Sequence, residues 1–207
     1  MKSLQILGIM GFAAAMTGCV PDWARENETG LLMVVADITG EPGSTGQDAG
    51  DVLFSDVSQW INDDAVVTVS LFRKNPTVVT TTPLEDVRLE SYQVRYFRSD
   101  GHSVEGVDVP HRITGPINSV LMHAPSGVAE FEAEVLINVV RHTAKREPPL
   151  INMIGILPTA TRSLSIPGQG IITAVAEITI FGRQVTTGHP LTATGRFQVG
   201  FADFADE

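Results

Sequence analysis

Residues 171–201 read IITAVAEITIFGRQVTTGHPLTATGRFQVGF, and this stretch decides the fold. Ile171 to Phe181 is a run of β-branched and apolar residues, the composition that fits a pleated, half-buried surface. Gly182 to Pro190 reads as a connection rich in turn residues, and Leu191 to Phe201 as the returning strand. On the return, Leu191, Ala193, Gly195, Phe197, Val199 and Phe201 share one face. Thr192, Thr194, Arg196, Gln198 and Gly200 share the other. A period of two with one dry and one wet face predicts an antiparallel sheet packed on a core.

Upstream the texture is the same. Leu31 to Ile38 is nearly all apolar and is expected to be a strand buried on both faces, ending in the loop Gly40-Glu41-Pro42-Gly43-Ser44-Thr45-Gly46. Val52 to Val57 is a short strand. Ala65 to Arg73 alternates, with Val67, Val69 and Leu71 on one face and Thr68 and Ser70 on the other, and Asn75-Pro76 stops it. In Val87 to Arg98 the parity slips by one residue near Glu90-Ser91, as a β-bulge makes it. Val128 to Arg141 has the composition of a helix, but Phe131, Ala133, Val135, Ile137 and Val139 alternate strictly with Glu130, Glu132, Glu134, Leu136 and Asn138. The period outweighs the propensity, and the segment is read as a strand. Seven or eight strands in one antiparallel layout predict an all-β, immunoglobulin-like sandwich.

In front of that domain stands the chain's only cysteine, Cys19. Lys2 supplies a positive charge, Leu4 to Met16 form an apolar run, and Met16-Thr17-Gly18-Cys19 closes it. The run is shorter than the roughly 20 apolar residues a membrane span needs and has the length of a signal-peptide core. An ordinary cleaved signal leaves the thiol at this boundary unexplained. The segment resembles a bacterial lipoprotein signal, with Met16, Thr17 and Gly18 as lipobox and Cys19 as the acylated residue. The organisation expected is a cleaved leader over 1–18, a lipidated cysteine and polar neck over 19–29, and a single β-sandwich over 30–207. Multiple acyl chains make such an anchor stable where one chain alone is marginal. Val20, rather than an aspartate, follows the cysteine, and the resemblance then points to the outer membrane of a two-membrane cell.

Loss of the leader takes the formal charge from −10 to −11, because Lys2 is its only charged residue. An acidic surface without a basic block repels phosphates and argues against a nucleic-acid partner. With one cysteine and that one acylated, the fold has neither a disulfide nor a cysteine metal site, and no cofactor is expected beyond the covalent lipid.

Candidate chemistry is sparse. No serine sits in a Gly-x-Ser-x-Gly elbow. His102, His111, His123, His142 and His189 include no pair spaced i, i+2 or i, i+4, and are read as surface or hydrogen-bonded residues. Two acidic clusters, Asn62-Asp63-Asp64 and Asp100 with Glu105 and Asp108, invite a calcium reading. Neither follows the EF-hand pattern, and Asp and Asn also belong in turns for backbone reasons. Glu130, Glu132 and Glu134 read as a solvated strand face.

Several phrases carry a wider likeness: Leu71-Phe72-Arg73-Lys74-Asn75-Pro76, Tyr92-Gln93-Val94-Arg95-Tyr96, Arg98-Ser99-Asp100-Gly101, Gly106-Val107-Asp108-Val109-Pro110 and Lys145-Arg146-Glu147-Pro148-Pro149-Leu150. With Ala176 to Phe181 and Phe201-Ala202-Asp203-Phe204, they resemble a family of predicted bacterial lipoproteins with no assigned activity. The resemblance covers most of the mature chain and implies one extracytoplasmic β domain. Gly106 to Pro110 is expected to be an edge segment, Lys145 to Leu150 an extended exit from the preceding strand, and both loops to lie at one end of the sandwich. The function expected is a lipid-anchored, non-catalytic binding or accessory module whose partners are the membrane and another envelope protein. The alternative is a periplasmic ligand- or calcium-binding domain using Asp100, Glu105 and Asp108.

Overall fold

The computed structural model describes residues 29–41, 51–118, 120–154 and 170–204. The readings of the leader, of Cys19, of the neck up to residue 28 and of most of the Gly40–Gly46 loop lie outside these residues. Nine strands are described: β1 (Leu31–Gly40), β2 (Val52–Asp56), β3 (Asp63–Arg73), β4 (Val87–Phe97), β5 (Ile113–Pro116), β6 (Leu121–Met122), β7 (Glu130–Val140), β8 (Ile172–Gln184) and β9 (Pro190–Ala202). They form two sheets. One has the order β1-β3-β7, the other β2-β9-β8-β4-β5, with β6 also on β4.

This is the immunoglobulin-like arrangement. β1, β3 and β7 stand where strands A, B and E stand in that fold, and β4, β8 and β9 where C, F and G stand. All pairs are antiparallel except β2 on β9, which is parallel. The core lies between the sheets. Val67, Val69 and Leu71 of β3 and Val135, Ile137 and Val139 of β7 are buried from one sheet. Tyr92, Val94 and Tyr96 of β4, Ile178 and Ile180 of β8 and Phe197, Val199 and Phe201 of β9 are buried from the other. The faces are those the alternation predicts, and the segment read as a strand over Val128 to Arg141 is one over Glu130–Val140, as its period requires.

Three bulges shape the sheets. In β4, Leu89 faces Gly182 and Ser91 faces Phe181, so Glu90 is the extra residue that shifts the parity. In β1 the register skips Ala36, between Val35 and Asp37. Opposite the start of β3, Asp63 pairs with Val140 and Asp64 with Asn138, leaving Val139 as the extra residue.

Four local expectations are corrected. β1 is not buried on both faces: Leu32 and Val34 are exposed, because in a two-sheet sandwich only one face of a strand meets the core. The Gly182–Pro190 connection is shorter than expected, since β8 runs on to Gln184 and pairing resumes at Pro190. Gly106 to Pro110 is a turn rather than an edge strand, closed by the Gly106 amide on the Val109 carbonyl at 2.8 Å. Lys145 to Leu150 is not extended: it includes a 3₁₀ turn over Ala144–Arg146 and the start of another over Leu150–Met153, with a cis Pro148–Pro149 bond between them.

Candidate functional site

Strand direction divides the loops between two ends. Leu31 pairs with Arg73, so the chain enters β1 at the end where β3 finishes. At the opposite end β3 begins, with Asp63 paired to Val140 at the close of β7. Loop 98–112 lies there too: Tyr96, near the end of β4, donates to the Val139 carbonyl, and Arg141 donates to the Thr114 carbonyl. The distal end therefore gathers loop 57–62, loop 98–112 and the turn after β7.

Its surface combines aromatic, apolar and cationic groups. Trp60 is 55% exposed, and Ile61, Val104 and Val107 are exposed as well. The Arg146 guanidinium lies 4.2 Å from the centre of the Trp60 ring, a cation–π geometry. Asn62 accepts hydrogen bonds from the His142 backbone amide at 2.9 Å and from its ring at 3.0 Å, tying loop 57–62 to the β7 exit.

Beneath this surface the same loops bury a charged pair. Lys145 Nζ lies 3.0 Å from Asp63 Oδ2 and 3.2 Å from Oδ1, and both side chains are fully buried. Burial pushes the Asp63 carboxyl above its ordinary range, opposed by the nearby Lys145 charge and by hydrogen bonding with Ser55 and Lys145. The Tyr96 hydroxyl, buried and close to the Asp63 charge, is likewise pushed up and stays a neutral donor.

The residues of the two acidic clusters have separate partners. Asp63 points inward, Asp64 accepts from the Asn138 side chain, and Asn62 faces His142. In loop 98–112, Asp100 pairs with Arg98 at 2.5 Å and accepts the His102 amide at 3.0 Å. Glu105 pairs with Arg112 at 3.0 Å. Asp108 accepts the Val104 amide at 3.0 Å. Hydrogen bonds from Arg98 and from the His102 amide hold the Asp100 carboxyl below its ordinary range, and a hydrogen bond from Arg112 does the same for Glu105. Among the described residues no group of three or more His, Cys, Asp or Glu is placed to hold a metal ion.

The histidines are spread over the molecule. His102 stands near Asp100, and His111 packs against Gly106, where an added Cβ would meet its ring at 2.5 Å. His123 bonds Asp86 at 2.9 Å and sits edge-on to Phe131 at the proximal end. Glu130, Glu132 and Glu134 lie on the exposed face of β7.

The buried Lys145 is the residue that sequence reasoning missed, since it stands in a charged run beside two prolines. A signal was present: Asp63 is in phase with Ala65, Val67 and Val69 on the inward face of β3. An acid on a dry face requires a cation or a proton.

No family model matches the chain. No curated protein matches it. Among solved structures the chain is similar to AggA, the major subunit of aggregative adherence fimbriae type I from Escherichia coli, at 9% identity and a TM-score of 0.26, over 84% of this chain and 95% of that one. It is also similar to a family 123 glycoside hydrolase from Clostridium perfringens at 10% identity and a TM-score of 0.26, over 83% of this chain and 26% of that one. At those scores the fold assignment stands on the strand order and register of the molecule itself.

Proposed function

We propose that this chain is a lipid-anchored envelope lipoprotein, carried by acyl groups on Cys19, whose sandwich is a non-catalytic binding or accessory module. The lipobox Met16-Thr17-Gly18-Cys19 supports the anchor. The observation that carries the module is the polarity of the fold. The chain enters β1 at one end, while the exposed Trp60, Ile61, Val104 and Val107 occupy the loops of the other. A sandwich hung from its N-terminal neck presents that distal end away from the lipid. Exposed aromatic and apolar side chains rimmed by charge are the composition of protein-binding surfaces. Tethering concentrates the module on the membrane and favours an envelope protein as partner.

The test is in-cell crosslinking of the full-length protein with affinity capture and mass spectrometry, run beside Cys19→Ser and Trp60→Ala. The reading predicts a reproducible envelope protein that is lost in both variants. An intact, membrane-held protein that captures nothing would overturn it in favour of a small-ligand domain.

A further inference from the structure

The Asp63–Lys145 pair joins the first residue of β3 to the turn after β7, 82 positions apart in sequence. Taking two charges out of water costs more than their attraction returns unless the remaining lone pairs and protons are satisfied. Here they are not. Oδ2, the oxygen nearer to Nζ, accepts no hydrogen bond of ordinary geometry among the described residues. The fully buried Ser55 hydroxyl stands beside Asp63. One proton passed from Nζ to the carboxylate turns the ion pair into a neutral amine and a neutral carboxylic acid, the forms that react with each other.

The amine also stands close to the carboxyl carbon. The similar distances, 3.0 and 3.2 Å, put Nζ close to the plane that bisects the carboxyl group and contains Cγ. Productive approach requires reacting atoms held about 3–3.5 Å apart.

The geometry points to a covalent isopeptide bond between Lys145 Nζ and Asp63 Cγ, formed by the folded chain itself. The Nζ lone pair attacks Cγ, the C–N bond forms and one C–O bond breaks. The hydroxyl leaves with one amine proton as a single water, and no oxidant or co-reactant is consumed. The Ser55 hydroxyl is available to carry that proton between nitrogen and leaving oxygen. The product is a neutral amide, which removes the charge from the interior and staples β3 to the β7 exit. In a chain whose single cysteine lies in the lipobox, it does the work a disulfide does elsewhere.

The test is peptide mapping of the full-length protein after denaturation and trypsin digestion. An amide on Lys145 blocks cleavage there, so residues 142–146 should appear joined to residues 26–73, lighter than the two peptides together by the mass of one water. Lys145→Met and Asp63→Ala should each abolish the conjugate. Recovery of residues 26–73 free and unmodified, with cleavage after Lys145, from wild-type protein would overturn the inference. A conjugate that survives Lys145→Met would overturn it too.

Discussion

The Tyr96 hydroxyl on β4 donates to the carbonyl of Val139 on β7, bridging the two sheets through the core. Val139 is the extra residue of a bulge and has no place in the β3–β7 register. Its carbonyl is therefore turned out of the ladder, where a buried acceptor needs another donor. Tyr92, four residues earlier on β4, accepts from the Asn138 amide at 3.3 Å. Two tyrosines of one strand thus satisfy the irregular end of a strand in the opposite sheet.

Removing the hydroxyl with Tyr96→Phe leaves the ring in place and the Val139 carbonyl unpaired. We expect a loss of about 1–3 kcal/mol in urea unfolding, the cost of a buried group left without its partner. A loss of under about 0.5 kcal/mol, the size of an ordinary surface change, would contradict the bridge.

Gly195 sits on the inward face of β9, where an added Cβ would lie 2.6 Å from Val35 Cγ1 and 2.8 Å from Ile38 Cδ1. Those side chains flank the β1 bulge. Gly195→Val should destabilise by roughly 1–3 kcal/mol through overpacking, whereas Thr194→Val on the wet face should stay within about 0.5 kcal/mol. Equal melting temperatures for the two variants would contradict the packing of β1 on β9.

The ion pairs of loop 98–112 give a pH signature. Asp100 and Glu105 both have folded pKa values below their ordinary ones. Their contribution is therefore present above the unfolded-state pKa and is lost as pH falls through the lowered folded value. Carboxyl NMR should show both groups titrating below the usual carboxylate range, with the loop ordered at neutral and mildly acid pH. Arg98→Ala should return Asp100 towards its ordinary range and leave Glu105 where it is. Titration of both acids at their ordinary values in the wild type would contradict the pairing.

The strands were legible because their side chains alternate over long runs, as in β9, where Leu191 to Phe201 shows a dry face at every second residue. The bulge at Glu90 was legible for the same reason, as a break in parity. β5 and β6 span four and two residues, too short for a period to register. The exposed face of β1 was not legible, because its outward residues Leu32 and Val34 are apolar and give no polar alternation. Within the distal end, the turn-forming role of Asp108 followed from residue type alone. The partners of Asp100 and Glu105 depend on how the loop folds back, and the link from Asp63 to Lys145 depends on how β3 and β7 pair. Spacing along the chain carries neither.

The central claim is that Cys19 carries the lipid that holds this domain at the envelope. Labelled palmitate supplied to cells expressing the full-length protein tests it most directly. The account predicts label on the wild type, none on Cys19→Ser, and an unprocessed precursor in that variant. Label that persists on Cys19→Ser, or a wild type that takes up none, would contradict it.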